Sequence, residues 1–289
     1  MNWNQVKIFL VVADARSLSA AAPLLGISPP TIARHIARLE QTLGVKLFDH
    51  RHDGYFVTSA GKELISAAEK MSCAAQDFSR QAKALDEASS GLVRVASGYW
   101  FSRIITEQMP NFHRANPSIE IELITGHALA DLERGDADIS IRNMRPCEGD
   151  LVMRKLGDAP YAVYGSTHYV QANPAAKNET RYDLCDWVSG SSALEGLASQ
   201  VWLNGKLKKD PILRCSQTLQ FLDAVKSGIG LTILPKMVGD REPLLEQVSE
   251  SVSLNNSEIW LVIHEDLKRA SAVRMVIDWL VPLFHTIQN

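Results

Sequence analysis

Ser28-Pro29-Pro30-Thr31-Ile32-Ala33-Arg34-His35-Ile36-Ala37-Arg38-Leu39-Glu40-Gln41-Thr42-Leu43-Gly44 decides how the rest of the chain is read. Ser28 is a favourable N-cap, prolines are tolerated in a first turn whose N–H groups are unpaired anyway, and Gly44 supplies a left-handed stop. One helix is predicted. Ile32, Ile36, Leu39 and Leu43 recur at helical spacing, so one face packs, while Thr31, Arg34, His35 and Arg38 fall on the other and offer donors. Upstream, Ser17-Leu18-Ser19-Ala20-Ala21-Ala22-Pro23-Leu24-Leu25 predicts a shorter helix and Gly26-Ile27 a tight turn. That is helix-turn-helix spacing, with the second helix placed to enter a major groove. On these residues alone an ordinary helical hairpin with a solvated basic face stays open.

At 289 residues the chain is long for one domain and can bury at least two cores. A net charge of −3 excludes a general polyanion binder, so any DNA contact must be local. Met1–Thr58 carries six basic against four acidic side chains before His35, His50 and His52 are counted. Cys73, Cys147, Cys185 and Cys215 form no C-x-x-C pair, which argues against a zinc site or a disulfide framework and for a reduced, cytoplasmic setting. The apolar run Ile8–Ala13 is cut by Asp14 and lacks the basic lead of a signal peptide, and no stretch of ~20 apolar residues suits a membrane.

Val6, Phe9, Leu10 and Ala13 mark a first amphipathic helix able to cover the two that follow. Asp49-His50-Arg51-His52-Asp53-Gly54-Tyr55-Phe56-Val57 reads as a hairpin on its Asp-Gly turn, the wing of a winged helix-turn-helix. His50 and His52 lack a third ligand nearby, so phosphate-facing side chains are preferred over a metal pair. Thr58 caps a long helix from Ser59 to about Ala88, in which Leu64, Ala68, Met71, Ala75, Phe78, Ala82 and Leu85 alternate steps of four and three. That is a heptad seam, and a seam wants a partner helix; packing on the chain's own body is the alternative. After Ser89-Ser90-Gly91, strands alternate with helices: Leu92–Ala96, helix Phe101–Ala115, Ile119–Ile124, helix Ala128–Arg134 and Asp138–Ile141. A similar order returns from Tyr161 to Pro235, with a further strand at Trp260–Ile263 and a closing helix Ala272–Phe284, which is α/β alternation.

The ordered run from Ser17 through Ser28-Pro29-Pro30, Arg34, Leu39-Glu40, Leu43-Gly44-Val45-Lys46-Leu47-Phe48 and Val57-Thr58-Ser59-Ala60-Gly61 resembles the LysR-type transcriptional regulators. Gly91-x-x-Arg94-Val95-Ala96-Ser97, Leu132-x-x-Gly135-x-Ala137-Asp138-Ile139 and Val225-x-x-Gly228-Ile229-Gly230-Leu231-x-x-Leu234-Pro235 extend the likeness over nearly the whole chain. The resemblance implies a multidomain fold: an α-helical winged helix-turn-helix over 1–58, a linker and dimerisation helix over 59–90, and an α/β two-lobed effector domain like a periplasmic binding protein. Its first lobe would hold 91–160 and 266–289, its second 161–265. It further implies a regulator that binds a two-fold symmetric site on double-stranded DNA as a homodimer or homotetramer, with RNA polymerase as a further candidate partner.

Ser28, Pro30, Thr31, Arg34, His35, Arg38, Arg51 and His52 are the expected DNA contacts, and Leu64, Met71, Phe78 and Leu85 the expected dimer seam. A small carboxylate or aromatic effector would lie between the lobes, at loops carrying Ser97, Tyr99, Trp100, His127, Arg142, Asn143, Ser189 and Thr218. There Ser97 and Thr218 would cap helices and Arg142 would meet a carboxylate or neutralise Asp136 or Asp138. No catalytic set is found: Gly228-Ile229-Gly230 lacks the third glycine of a dinucleotide loop, and neither G-x-S-x-G nor H-E-x-x-H occurs. No enzyme activity, cofactor or metal is therefore expected.

Departures from the family pattern matter. Pro29 stands where a base-reading Gln is usual, Ala33 for a Ser and His50 for an Arg. Pro23 falls inside the motif's first helix, at a cost of up to ~3 kcal/mol unless that helix starts as late as Ser19. Tyr99, Trp100 and Phe101 replace small residues, so the cleft is narrowed, self-filled or suited to an aromatic ligand. A degenerate member that binds DNA without a ligand, and a solute-binding protein, are the competing readings.

Overall fold

The apolar stripe of the quoted stretch closes a small helical core, and the alternating strands beyond residue 90 build a separate one. A computed structural model describes residues 2–51, 54–85, 91–126, 132, 136–145, 151–252, 254 and 257–286, apart from the side chains at 50, 51, 73, 76, 77, 79–81 and 83–85. It divides into two compact units, Met1–Arg80 and Gln81–Asn289. His52, His127, the predicted helix over 128–134 apart from Leu132, and the linker at 89–90 lie outside the described residues.

The first unit begins with α1 (Trp3–Ala15), α2 (Leu18–Leu25) and α3 (Pro29–Leu43), whose buried Val6, Phe9, Val12, Ala21, Ile32, Ile36 and Leu39 form one cluster. Leu43, the fourth residue of the predicted stripe, is 37% exposed because it lies in the last turn, past the helices that cover the others. Helix α2 starts at Leu18, earlier than the constraint from Pro23 favoured; Ser17 caps it through Ala20 N–H at 3.4 Å. Strands β1 (Phe48–Arg51) and β2 (Gly54–Val57) pair antiparallel from Phe48–Val57 to Arg51–Gly54, which gives the expected hairpin but corrects its turn: Gly54 stands in the ladder opposite Arg51, not at the centre of an Asp-Gly turn. Phe48 packs edge-on against Phe9 and Tyr55, seating the hairpin on α1. Helix α4 (Ser59–Leu85) follows, with the Thr58 hydroxyl accepting from Gly61 N–H at 3.0 Å.

In the second unit, one sheet has the order β4 (Ile119–Thr125), β3 (Gly91–Ser97), β5 (Ile139–Arg142), β12 (Glu258–His264), β6 (Leu151–Asp158). Strand β3 runs parallel to β4 and β5; β12 runs antiparallel to β5 and β6. Helices α5 (Tyr99–Ala115) and α10 (Ser271–Thr286) pack together through Phe101–Phe284 and Phe112–Trp279. Strand β7 (Tyr161–Ser166) lies between β10 (Leu231–Pro235) and β11 (Leu245–Gln247), with α6 (Thr167–Ala172) after β7. Parallel strands β8 (Val188–Gly190) and β9 (Leu213–Cys215) join that layer through a Trp187–Leu231 bridge, alongside α7 (Ala198–Lys206), α8 (Leu219–Lys226) and α9 (Lys236–Gly239).

The lobe boundary expected at residue 265 is corrected by this topology. Among the described residues strand β12 pairs with β5 and β6 of the five-stranded sheet, so the chain has returned to the first lobe before Glu258. The Gly228-Ile229-Gly230 run is explained by backbone geometry: Gly228 turns the chain out of α8 at φ +83°, and a Cβ on Gly230 would sit 2.5 Å from the Asp186 carbonyl oxygen. Among the described residues no helix is long and apolar enough to cross a membrane.

Candidate functional site

Two surfaces carry the sequence-predicted residues, and each is built within one unit. On α3, Arg34 and Arg38 are exposed and Thr31 is half-buried, opposite the buried Ile32, Ile36 and Leu39. Ser28 occupies the N-cap position but makes no cap bond through its side chain; its hydroxyl pairs with the Thr31 hydroxyl at 2.9 Å. His35 is only half on the donor face: among the described residues its Nδ1 is buried without a hydrogen-bond partner, which leaves Nε2 as the nitrogen able to meet DNA. Arg51 closes β1 beside the turn, and its side chain lies outside the description.

Sequence reasoning missed Glu40. It belongs to the helix that presents the arginines, yet its carboxylate is 7% exposed and turned toward the hairpin. Oε1 accepts from Leu47 N–H at 2.9 Å and Phe48 N–H at 3.2 Å, and Oε2 from Lys46 Nζ at 2.6 Å. Thr58 completes the joint, donating its hydroxyl to the Lys46 carbonyl at 2.7 Å and its N–H to that of Leu47 at 3.0 Å. Recognition helix, wing and α4 are thereby held at one place. A Glu three residues before a helix-ending Leu-Gly looks solvated in sequence, so nothing local signals this role.

Of the expected seam, Leu64 packs into the core of the first unit and Ala68 is buried there, because the opening turns of α4 close that core. Leu64 thus packs partly within its own unit. Met71 and Phe78 are 37% and 77% exposed, while the Leu85 side chain lies outside the description.

The second unit contains a cavity of about 800 Å³ lined from both sheet layers. Ser97, Tyr99, Trp100, Arg142, Asn143 and Thr218 line it, whereas Ser189 does not. Ser189 is fully buried, its hydroxyl shared between Gln200 Oε1 at 3.2 Å and Asn204 Oδ1 at 3.3 Å. Nor does Ser97 cap α5: its hydroxyl joins Ser102 at 2.7 Å, which joins Thr125 at 2.7 Å, and Gly98 is the N-cap. Thr218 holds the cap position of α8 without a cap bond from its side chain. Arg142 donates Nε–H to the Ser140 hydroxyl at 2.8 Å, and the Asp138 carboxylate accepts from Arg94 N–H at 2.8 Å.

What sequence did not anticipate is the opposite wall. Leu197 holds the N-cap position of α7 with no side-chain bond, and Gly196–Ser199 line the cavity, so α5 and α7 begin on it without side-chain caps, whereas at the start of α8 the Gln220 side chain accepts from Gln217 N–H at 3.1 Å. Tyr161, at the start of β7, also lines it, and burial alone pushes its phenol up to about 12, keeping it a neutral hydroxyl near neutral pH. A tyrosine opening a strand looks like core, so it carried no signal.

Comparison with known proteins covers both surfaces. The model of the LysR substrate binding domain matches residues 86–284, and that of the bacterial regulatory helix-turn-helix protein, lysR family, matches residues 3–62. The chain is 30% identical over 168 residues to the HTH-type transcriptional regulator CbbR of Xanthobacter flavus, covering 56% of this chain and 50% of that protein. Against the Mau operon transcriptional activator of Paracoccus denitrificans it is 24% identical over 289 residues, covering 98% of this chain and 97% of the other. The first match spans half its relative and the second nearly all. Among solved structures, the full-length Vibrio cholerae virulence activator AphB shares the fold at TM-score 0.65 and 19% identity, covering 98% and 99% of the two chains.

The Glu40 joint gives a first prediction. Burial pushes its carboxyl up, but the bonds from Lys46, Leu47 and Phe48 outweigh this and hold it below the ordinary range. Its contribution to stability is present above the unfolded value of ~4.3 and is lost as pH falls through the depressed folded value. Lys46 is 78% exposed, so the two backbone donors dominate. Glu40→Gln should cost ~1–3 kcal/mol in urea titrations at neutral pH. The gap to wild type should stay constant above about pH 5 and narrow below about pH 4; a gap independent of pH would contradict the assignment.

Proposed function

The chain belongs to the LysR family of transcriptional regulators, and from that premise we propose that it binds a two-fold symmetric promoter site as a dimer or dimer of dimers and responds to a small acidic or aromatic molecule in the cavity of its second unit. The family comprises transcriptional regulators rather than enzymes. The observation that carries the DNA reading is the two-sidedness of α3, with every interior stripe residue buried and both arginines exposed. Arg34 lies near the helix N-terminus, where a recognition helix meets base edges; Arg38 lies a turn further on, suited to phosphate. Without the usual Gln at position 29, base reading rests on Thr31, Arg34 and the Nε2 of His35. RNA polymerase at the bound promoter and a cytoplasmic setting belong to the same proposal.

The effector reading is supported by the starts of α5 and α7 on one cavity without side-chain caps, since helix N-termini and their dipoles favour an anion there. Tyr99 and Trp100 line the wall yet leave about 800 Å³, within the range of ligand pockets, which speaks against a chain that has filled its own cleft. Among the seam residues, exposed Met71 and Phe78 are seven apart on α4 and offer an apolar stripe to a second copy.

Three measurements test this. Arg34→Ala should relax preference at one base position by ~1–3 kcal/mol, whereas Arg38→Ala should weaken every duplex alike and lower the salt slope by about 1. Titration of matched and mismatched duplexes at two salt concentrations reads both; unchanged affinity in both variants would end the DNA reading. Replacing Met71 and Phe78 together with Lys should shift light scattering toward monomer, and an unchanged mass would remove them from the interface. In a thermal-shift screen, benzoate or a related acid at 100 times its dissociation constant should add ~2.7 kcal/mol of stability. Tyr161→Phe should weaken that response; no response to any acid or aromatic compound would favour a regulator without a ligand.

A further inference from the structure

Glu242, just after α9, is 7% exposed and has charged partners from two helices. Lys226 Nζ in the last turn of α8 lies 2.7 Å from its carboxylate, and the Arg103 guanidinium of α5 donates to the other oxygen. Arg103 also reaches Glu107 at 3.0 Å one turn along α5, and Glu107 lies 3.9 Å from Arg241. Helix α5 packs on the five-stranded sheet, and α8 and α9 on the layer around β7 and β10. Glu242 is therefore a point where a helix of one layer is tied to helices of the other.

The same helices wall the cavity. Tyr99 precedes Arg103 by one turn on α5, Thr218 and Phe221 lie at the opening of α8, and Met237 is on α9. One apolar cluster joins the two layers, from Val93 and Phe101 through Phe221 and Leu234 to Phe284. Apolar contact is non-directional, so it fixes that the layers touch but not at what angle. A buried carboxylate between two cations is directional: sliding either helix away leaves it unmatched, which costs more than the intact arrangement gains.

We propose that Glu242 is a positioning residue of the effector cavity, setting the angle between the α5 and α8 walls through Arg103 and Lys226. The proposal rests on the cavity being the effector site. Burial alone would push this carboxyl up; the hydrogen bonds and charges of Lys226 and Arg103 more than offset that and hold it below the ordinary range, so it is ionised at neutral pH. Glu107 and Arg241 extend the alternation of charge along the seam between the layers.

The test is hydrogen exchange on the full chain without ligand, comparing Glu242→Gln, Arg103→Met and Lys226→Met. In Glu242→Gln and Arg103→Met, amides at 102–106 should exchange at least tenfold faster, with β3, β12 and the helix at 29–43 unchanged. The double variant should be no faster than either single. Lys226→Met, which removes only the contact within one layer, should accelerate 221–225 and leave α5 slow. Arg103 is 34% exposed, so its variant carries the test should Glu242→Gln fail to fold. Wild-type exchange in α5 of the Arg103 variant, or acceleration shared by β3 and β12, would overturn the proposal. Exchange is read without ligand, so a failed ligand screen counts against the effector reading and not against this clamp.

Discussion

Taking a carboxylate out of water costs several kcal/mol unless donors replace the lost hydration, and each unit is joined at a glutamate that meets this condition. Glu40 turns away from the solvent that its neighbours Arg34 and Arg38 face, and collects two backbone N–H groups from the strand entry at Leu47 and Phe48. Without it those donors would be buried beside an apolar core with no carboxylate to meet them. Glu242 does the corresponding work in the second unit with side-chain cations in place of backbone donors. In both places apolar burial supplies the attraction, and an ionised group supplies the direction.

The α-helical motif was legible because its period is strong. Ile32, Ile36 and Leu39 sit at helical spacing between a Ser-Pro-Pro start and a Gly stop, and all three are buried. The hairpin was legible as well but its turn was not, since the register closes on Arg51 and Gly54 and so sets Gly54 in the ladder instead of the turn. Strand β6 was missed because it alternates poorly: of Leu151–Asp158 only Leu156 is buried. Helix α7 was missed for a related reason, since its buried residues are Gln200 and Leu203 and the first is polar. Gln200 is inside because its Oε1 accepts from Gly190 N–H at 2.7 Å, a partner 10 residues away that no local pattern predicts.

The candidate site was legible by loop and illegible by atom. The strand ends after β3 and β5 were rightly placed at the cavity, but the hydroxyls chosen there are largely spoken for. Ser97, Ser102 and Thr125 satisfy one another, and Ser189 serves the packing of α7. A serine at a strand end has the same sequence signature whether it faces a ligand or a neighbouring hydroxyl, because both uses need a small donor at the same place.

The run Tyr99-Trp100-Phe101 shows why bulk in the sequence does not mean a filled cleft. Successive residues of a helix point about 100° apart, so three in a row cannot share one direction. Phe101 is 2% exposed and edge-on to Phe284, although it too borders the cavity, while Tyr99 and Trp100 remain partly exposed on the wall. Among the described residues that wall carries one acidic and one basic side chain, Asp136 and Arg142, and these two contribute no net formal charge. What favours an anion is then the helix dipole at the starts of α5 and α7, which line the cavity without side-chain caps. A field made by the main chain survives side-chain substitution, so aromatic residues can reshape the wall to suit a flat ligand while the preference for a negative end stays in place.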